Sequence, residues 1–289
     1  MSGEMFFDKA VKIEKKFTLW SKKQNKETAS ELYKKAGDQF KYEKKIDRSI
    51  ISYEKASECY IYNNDNLSAG KCNELIGNLL KNIDSDLSIE KYLFSIELYS
   101  QSLNFPKIAK LYNKISDIYE NEFKYQLSIE YLIKSIDNYD MDESYSVTIF
   151  NLQYKIADLY LKIGNHLDAI IWYEKTLKNI DNCLLKYKLI DSIFMSISCQ
   201  IYLCLNEIYN FPKIEKYTEE YIIFTQSREC QFIVSLIDSL KNRSIEDLNI
   251  LYEKYSSLFN LNIIREKLFY DIKTNWEIVL PAIPEENFR

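Results

Sequence analysis

Ser49-Ile-Ile-Ser-Tyr53, Ser88-Ile-Glu-Lys-Tyr92, Ser128-Ile-Glu-Tyr131 and Ala169-Ile-Ile-Trp-Tyr173 open four near-copies that run to Tyr60, Tyr99, Tyr139 and Ile180. Their first residues are 39, 40 and 41 apart. Upstream of each lies a second recurring segment: Ala29 to Phe40, Ala69 to Leu80, Ile108 to Tyr119 and Ile149 to Tyr160. One unit is therefore a pair of helices. Small residues recur through each unit: Gly37, Ser49 and Ala56; Gly77, Ser88 and Ser95; Ser116, Ser128 and Ser135; Ala157, Ala169 and Thr176. These mark close approaches of two antiparallel helices, where a large side chain does not fit. The large residues around them (Phe40, Tyr53, Tyr60, Leu80, Tyr92, Tyr99, Tyr119, Tyr139, Tyr160 and Tyr173) are expected to fill the space between successive pairs.

A repeat near 40 residues built this way is a helical-hairpin array. The expected fold is all-α: a right-handed solenoid of tetratricopeptide-like antiparallel hairpins, residues 1–225, continuous with a C-terminal helical bundle and acidic tail, residues 226–289. The repeat exceeds the roughly 34 residues of tetratricopeptide units, which implies longer helices and a flatter array. Composition agrees. Of 289 residues 46% are apolar, while only five are glycine and four proline, so few positions break a helix. The 24 tyrosines at helical spacing read as core residues with a wet hydroxyl.

The net charge of −5 argues against a nucleic-acid surface. No apolar run approaches the ~18 residues of a membrane span, and Glu4, Asp8 and Glu14 interrupt any signal-peptide pattern, so a cytoplasmic protein is expected. Cys59, Cys72, Cys183, Cys199, Cys204 and Cys230 show no C-x-x-C spacing and read as buried free thiols.

The chain starts with a helix over about Met5 to Lys16, striped by Phe6, Ala10 and Ile13. Phe17, Leu19 and Trp20 follow among Lys15, Lys16, Lys22 and Lys23. Two readings compete: these residues tuck the first helix onto the array, or they form a shallow membrane-surface anchor in which apolar insertion and lysine attraction to anionic lipid add. Asp86 and Asp65 or Asn66 are candidate helix N-caps, and Pro106 suits a first helical turn. A fifth pair is expected from Leu184 to Phe224, its second helix starting at Pro212. Three further helices follow, over Arg228 to Leu240, Ser244 to Tyr255 and Leu261 to Val279, and Pro281 and Pro284 then leave a tail.

Catalytic chemistry is not legible. Ala69-Gly-Lys-Cys-Asn73 lacks the earlier glycine and the following hydroxyl of a phosphate loop. The lone histidine, His166, sits in a Gly164-Asn-His166 turn and reads as solvated, and no partner motif for a zinc site or a catalytic triad accompanies it. Neither enzyme, cofactor nor metal is expected.

Several phrases, in this order along the chain, resemble the soluble NSF attachment proteins, most closely their α type: the loop Phe17 to Trp20, Ala109-Lys110, Ile115-Ser-Asp-Ile-Tyr-Glu120, Leu184-Leu-Lys-Tyr187 with Asp191, Ser227-Arg-Glu-Cys230, and the tail Glu285-Glu-Asn-Phe-Arg289. The resemblance implies an adaptor in vesicle trafficking. Such an adaptor binds the SNARE bundle with its inner face, touches the membrane surface peripherally, and recruits and stimulates the hexameric ATPase NSF for SNARE disassembly. Residue by residue, it implies SNARE-binding roles for Lys110 and Lys155, a membrane loop at Phe17, Leu19 and Trp20, and NSF binding and activation by Glu285, Glu286 and Phe288. Other basic positions of the family fall here at Asn104, Asn151 and Ile190, with Lys107, Lys114 and Lys188 as neighbouring substitutes. The alternative is a generic peptide-binding scaffold or cochaperone, but its two-carboxylate clamp is not evident.

Overall fold

A computed structural model describes residues 2–16, 22–178, 186–205, 214–258 and 263–282. The described residues form helices and no strand. The chain divides into two compact units, residues 1–142 and 143–289.

The first unit runs α1 (Gly3–Glu14), α2 (Lys22–Tyr42), α3 (Ile46–Tyr62), α4 (Asn66–Leu80), α5 (Ser85–Ser100), α6 (Phe105–Asn121) and α7 (Tyr125–Tyr139). α2–α3, α4–α5 and α6–α7 are the hairpins expected from the repeat, and α3 packs on α4 and α5 on α6. The small residues are where the helices touch, and every one named above is buried. Ser49 and Ser88 each donate a hydrogen bond to the backbone carbonyl of the partner helix, Gly37 and Gly77, at 2.8 Å. Ser95 and Ser135 do the same to Gly70 and Ala109 at 2.7 and 2.8 Å. A serine can replace alanine at such a crossing because its hydroxyl has an acceptor at hand.

The tyrosines differ from expectation. Tyr53, Tyr92 and Tyr99 press onto glycines of the partner helix inside their own hairpins rather than only filling space between pairs. A Cβ added at Gly37, Gly77 or Gly70 would lie 2.6, 2.6 and 2.7 Å from the rings of Tyr53, Tyr92 and Tyr99. The buried hydroxyls are held by residues at the surface: Tyr53 donates to Asp38 at 2.7 Å and Tyr92 to Asn78 at 2.9 Å. At these three crossings the ring leaves no room for a Cβ, so these glycines serve packing. The left-handed turns are left to Lys44, Asn64, Leu103 and Phe123, with φ of 59°, 60°, 50° and 59°.

The second unit runs from a 3₁₀ turn (Glu143–Tyr145) through α8 (Ser146–Lys162), α9 (His166–Leu177), α10 (Lys186–Cys204), α11 (Glu215–Glu220), α12 (Ile222–Thr225), α13 (Arg228–Lys241), α14 (Ile245–Leu258) and α15 (Ile263–Val279) to a 3₁₀ turn at Leu280–Ala282. α8–α9 is the fourth repeat: Tyr173 donates to Asp158 at 2.5 Å, the counterpart of the Tyr53–Asp38 bond. The fifth pair departs from expectation. After α10 the chain forms two short helices, because Tyr221 (φ −123°, ψ 81°) interrupts them. Pro212 lies outside the described residues. One continuous core joins Ala157 on α8 to Trp276 on α15, with Phe194, Phe232, Tyr255 and Phe269 at its centre, and the sequence position 225/226 falls within it.

The helix starts follow capping chemistry. Asp65 accepts from the Ser68 amide at 3.0 Å and Ser227 from that of Cys230 at 3.0 Å. Asp84, not Asp86, caps α5, accepting from Leu87 at 2.9 Å. Asp86 lies in the first turn, where a carboxylate favours the helix dipole. Pro106 occupies the first turn of α6 as expected.

Candidate interaction surface

Lys110 stands exposed on α6, in the first unit. Lys155 lies half-buried on α8, in the second unit, and engages its own chain. Around Lys110 the neighbouring lysines are committed. Lys114 reaches back across α4 to Glu74 at 2.8 Å and Asn78 at 2.9 Å, and Lys71 holds the other Glu74 oxygen at 3.0 Å. Burial pushes the Glu74 carboxyl up, but the hydrogen bonds from Lys114 and Lys71 outweigh it and hold it below its ordinary value. Lys107 lies over the Tyr99 ring, 4.9 Å from its centre. Lys107 and Lys114 are thus tied to packing and pairing, and Lys110 carries its charge outward on the same helix.

In the second unit Asn151 accepts a hydrogen bond from Lys188, which also lies 5.9 Å over the Phe150 ring. Ile190 is only 8% exposed and belongs to the core. Asn104 takes the cap position of α6 without a side-chain cap bond. Phe17, Leu19 and Trp20, and Glu285, Glu286 and Phe288, lie outside the described residues. The ends that bracket them are described: Lys15, Lys16, Lys22 and Lys23 are exposed, and α15 stops at Val279 before the turn holding Pro281.

Sequence reading missed a second ion-pair centre. Arg265 of α15 pairs with Asp191 of α10 and covers the Phe194 ring at 5.2 Å, while Tyr154 of α8 donates to the other Asp191 oxygen at 2.5 Å. This joins the last helix to the repeat helices of its unit. Asp191 stood in the phrase used for the resemblance, but nothing local pointed to Arg265, 74 residues on.

His166 is not the solvated turn residue expected. It is half-buried and stacked on Tyr202 at 4.1 Å, and burial lowers its pKa, so the ring is biased toward its neutral form. Cys59, Cys72, Cys199 and Cys230 are buried free thiols as expected, Cys204 is only half-buried at the end of α10, and Cys183 lies outside the described residues. Burial raises Cys59 to about 11 and Cys72 to about 12, which keeps both protonated and unreactive. No helix among the described residues is long and apolar enough to cross a membrane.

Antiparallel hairpins packed through small residues define a helical-repeat scaffold. The chain belongs to the soluble NSF attachment protein family: the family profile, "Soluble NSF attachment protein, SNAP", matches residues 2–277. The alpha-soluble NSF attachment protein of Homo sapiens is 26% identical over 238 residues, covering 82% of this chain and 80% of its own. That of Vitis vinifera is 24% identical over 274 residues, covering 94% and 93%. The vesicular-fusion protein SEC17 of Komagataella phaffii is 22% identical over 263 residues, covering 86% and 84%. The family is named for attachment and not for a reaction, in keeping with the absence of catalytic motifs in the sequence.

Proposed function

We infer that the chain is an adaptor of vesicle fusion that binds SNARE bundles and brings NSF to them for disassembly. Family membership over residues 2–277 is the observation that carries this reading. The helical-hairpin fold supports it, because stacked hairpins present a long row of helix faces to a rod-like partner. Lys110 and Lys155 are assigned to the acidic surface of the SNARE bundle. Phe17, Leu19 and Trp20, with the lysines around them, are assigned to peripheral contact with the membrane. Glu285, Glu286 and Phe288, set off from α15 by Pro281 and Pro284, are assigned to NSF: the carboxylates attract at long range and the phenyl ring fills a pocket. The test is a pull-down on an immobilised soluble SNARE bundle, with NSF added in a second step. Retention of the chain, then of NSF only when the chain is present, is expected. Failure of the chain to bind the bundle overturns the reading.

A further inference from the structure

We propose that the outward face of α5, centred on Leu93 and Phe94, is a docking surface for a basic amphipathic helix of a partner protein. The inference goes beyond the adaptor reading, because α5 belongs to a different helix layer of the first unit from Lys110.

Bonds between successive hairpins sort the helices of this unit into two layers. Lys91 of α5 donates to Glu54 of α3 at 2.9 Å, which ties second helices to one another. Lys114 of α6 donates to Glu74 of α4 at 2.8 Å, which ties first helices to one another. Lys110, on α6, stands in the first-helix layer, and Leu93 and Phe94, on α5, stand in the second.

The repeat register isolates α5. Six residues after Ser49, Ser128 and Ala169 stands a lysine, Lys55, Lys134 or Lys175, but six after Ser88 stands Phe94. Each of those lysines covers a neighbour on its own helix. Lys55 pairs with Glu58 at 2.8 Å, Lys134 lies 4.6 Å over the Tyr131 ring, and Lys175 lies 3.7 Å over that of Trp172. In α5 the cation is replaced by a phenyl ring with Leu93 beside it, 39% and 40% exposed. Glu90 and Glu97, four residues before Phe94 and three after it, lie on the same face. Both are exposed, and no ion pair among the described residues holds either, since Lys91, the one lysine of α5, is engaged with Glu54.

Charge complementarity selects the occupant. Exposed apolar side chains taken singly are ordinary, and Ile51 on α3 and Leu127 on α7 are of that kind. An adjacent apolar pair bordered by two carboxylates without ion pairs instead matches a helix whose apolar stripe is flanked by lysine or arginine. Glu130 and Asp137, exposed on α7, extend the negative border against one lysine, Lys134, which lies on Tyr131. Such a face repels an anionic lipid surface and an acidic bundle alike. In the second unit α9 also exposes an apolar residue, Ile171, but Lys175 and Lys178 follow it, so its charge is the reverse.

The experiment uses the full chain and a fluorescent synthetic helix with leucines along one stripe and lysines beside it, its binding read by anisotropy at low and moderate salt. Phe94→Lys installs the residue that the other hairpins carry, and Glu90→Gln with Glu97→Gln removes the two charges while keeping their shape. Glu27→Gln with Glu31→Gln, at exposed positions of α2 in the other layer, makes the same change of net charge elsewhere. The expected result is that Phe94→Lys and the Glu90/Glu97 variant each bind roughly tenfold more weakly, the second with a flatter salt dependence, while the α2 variant binds as the unaltered chain does. Soluble SNARE-bundle binding and the melting temperature stay unchanged in all three. If Phe94→Lys lowers the melting temperature, the glutamine pair decides alone. Absence of binding by the unaltered chain, an equal loss in the α2 variant, or parental binding by the α5 variants overturns the proposal. Loss of SNARE-bundle binding in either α5 variant makes this face part of the bundle site and overturns it as well.

Discussion

Replacing Gly77 by alanine adds one methyl group, and two opposed effects follow. In a solvent-exposed helix the change stabilises by about 1 kcal/mol, since alanine is the better helix former. Here the new Cβ meets the Tyr92 ring at 2.6 Å, well inside ordinary contact. The ring is fully buried and anchored through its hydroxyl to Asn78 at 2.9 Å, so it cannot swing away without losing that bond. Pushing the helices apart instead stretches the 2.8 Å bond from Ser88 to the Gly77 carbonyl. Overpacking of this kind costs about 1–3 kcal/mol, and with the hydrogen bond at risk the upper half applies. Gly77→Ala is therefore expected to destabilise by roughly 1–2 kcal/mol net. The third repeat carries Ser116 with Leu132 at the corresponding positions, a larger residue beneath and a smaller one above. Combining Gly77→Ala with Tyr92→Leu should accordingly show favourable coupling of about 1 kcal/mol in a double-mutant cycle. Urea unfolding followed by circular dichroism, with midpoints compared at constant slope, measures both quantities. A Gly77→Ala protein more stable than the parent, or strictly additive substitutions, would show that the ring does not bear on the glycine.

Glu74→Gln should lower stability at neutral pH by about 1 kcal/mol, discounted for the partly exposed lysines that hold it. Because the folded-state pKa of Glu74 is depressed, its contribution is present above the ordinary carboxylate value and lost as pH falls through the folded one. The difference between variant and parent should vanish in acid, and urea midpoints across pH that keep a constant gap refute this. Lys110→Glu with Lys155→Glu should abolish SNARE-bundle binding, measured by pull-down at low salt, with the helical circular dichroism signal kept. Phe288→Ala should leave bundle binding intact yet lose most stimulated ATP hydrolysis and disassembly in an assay with purified NSF. Reversal of Glu285 and Glu286 should weaken NSF recruitment, most visibly at low salt where attraction is least screened. A Phe288→Ala protein that disassembles bundles at the parental rate removes the tail from activation.

The local pattern of the chain decided much of this molecule. A period near 40 residues, small side chains at fixed offsets and a scarcity of breakers placed the first four hairpins, and α13, α14 and α15 lie within three residues of their expected bounds. Such features are legible because helix formation and close helix crossing depend on residue types at 3.6-residue spacing within one segment. Lys110 was a candidate only through the family resemblance, since helical spacing by itself makes an exposed lysine no more than a solvated one. The tertiary structure alone decided what each face meets. It put tyrosine rings on glycines inside hairpins, bound Lys114 to Glu74 across 40 residues, buried Ile190, and joined Arg265 to Asp191. It also set His166 on Tyr202, where turn chemistry pointed to water. These outcomes depend on the rotation of each helix about its axis and on the element opposite it. Both are settled by burial summed over residues distant in sequence, a quantity that no single segment contains.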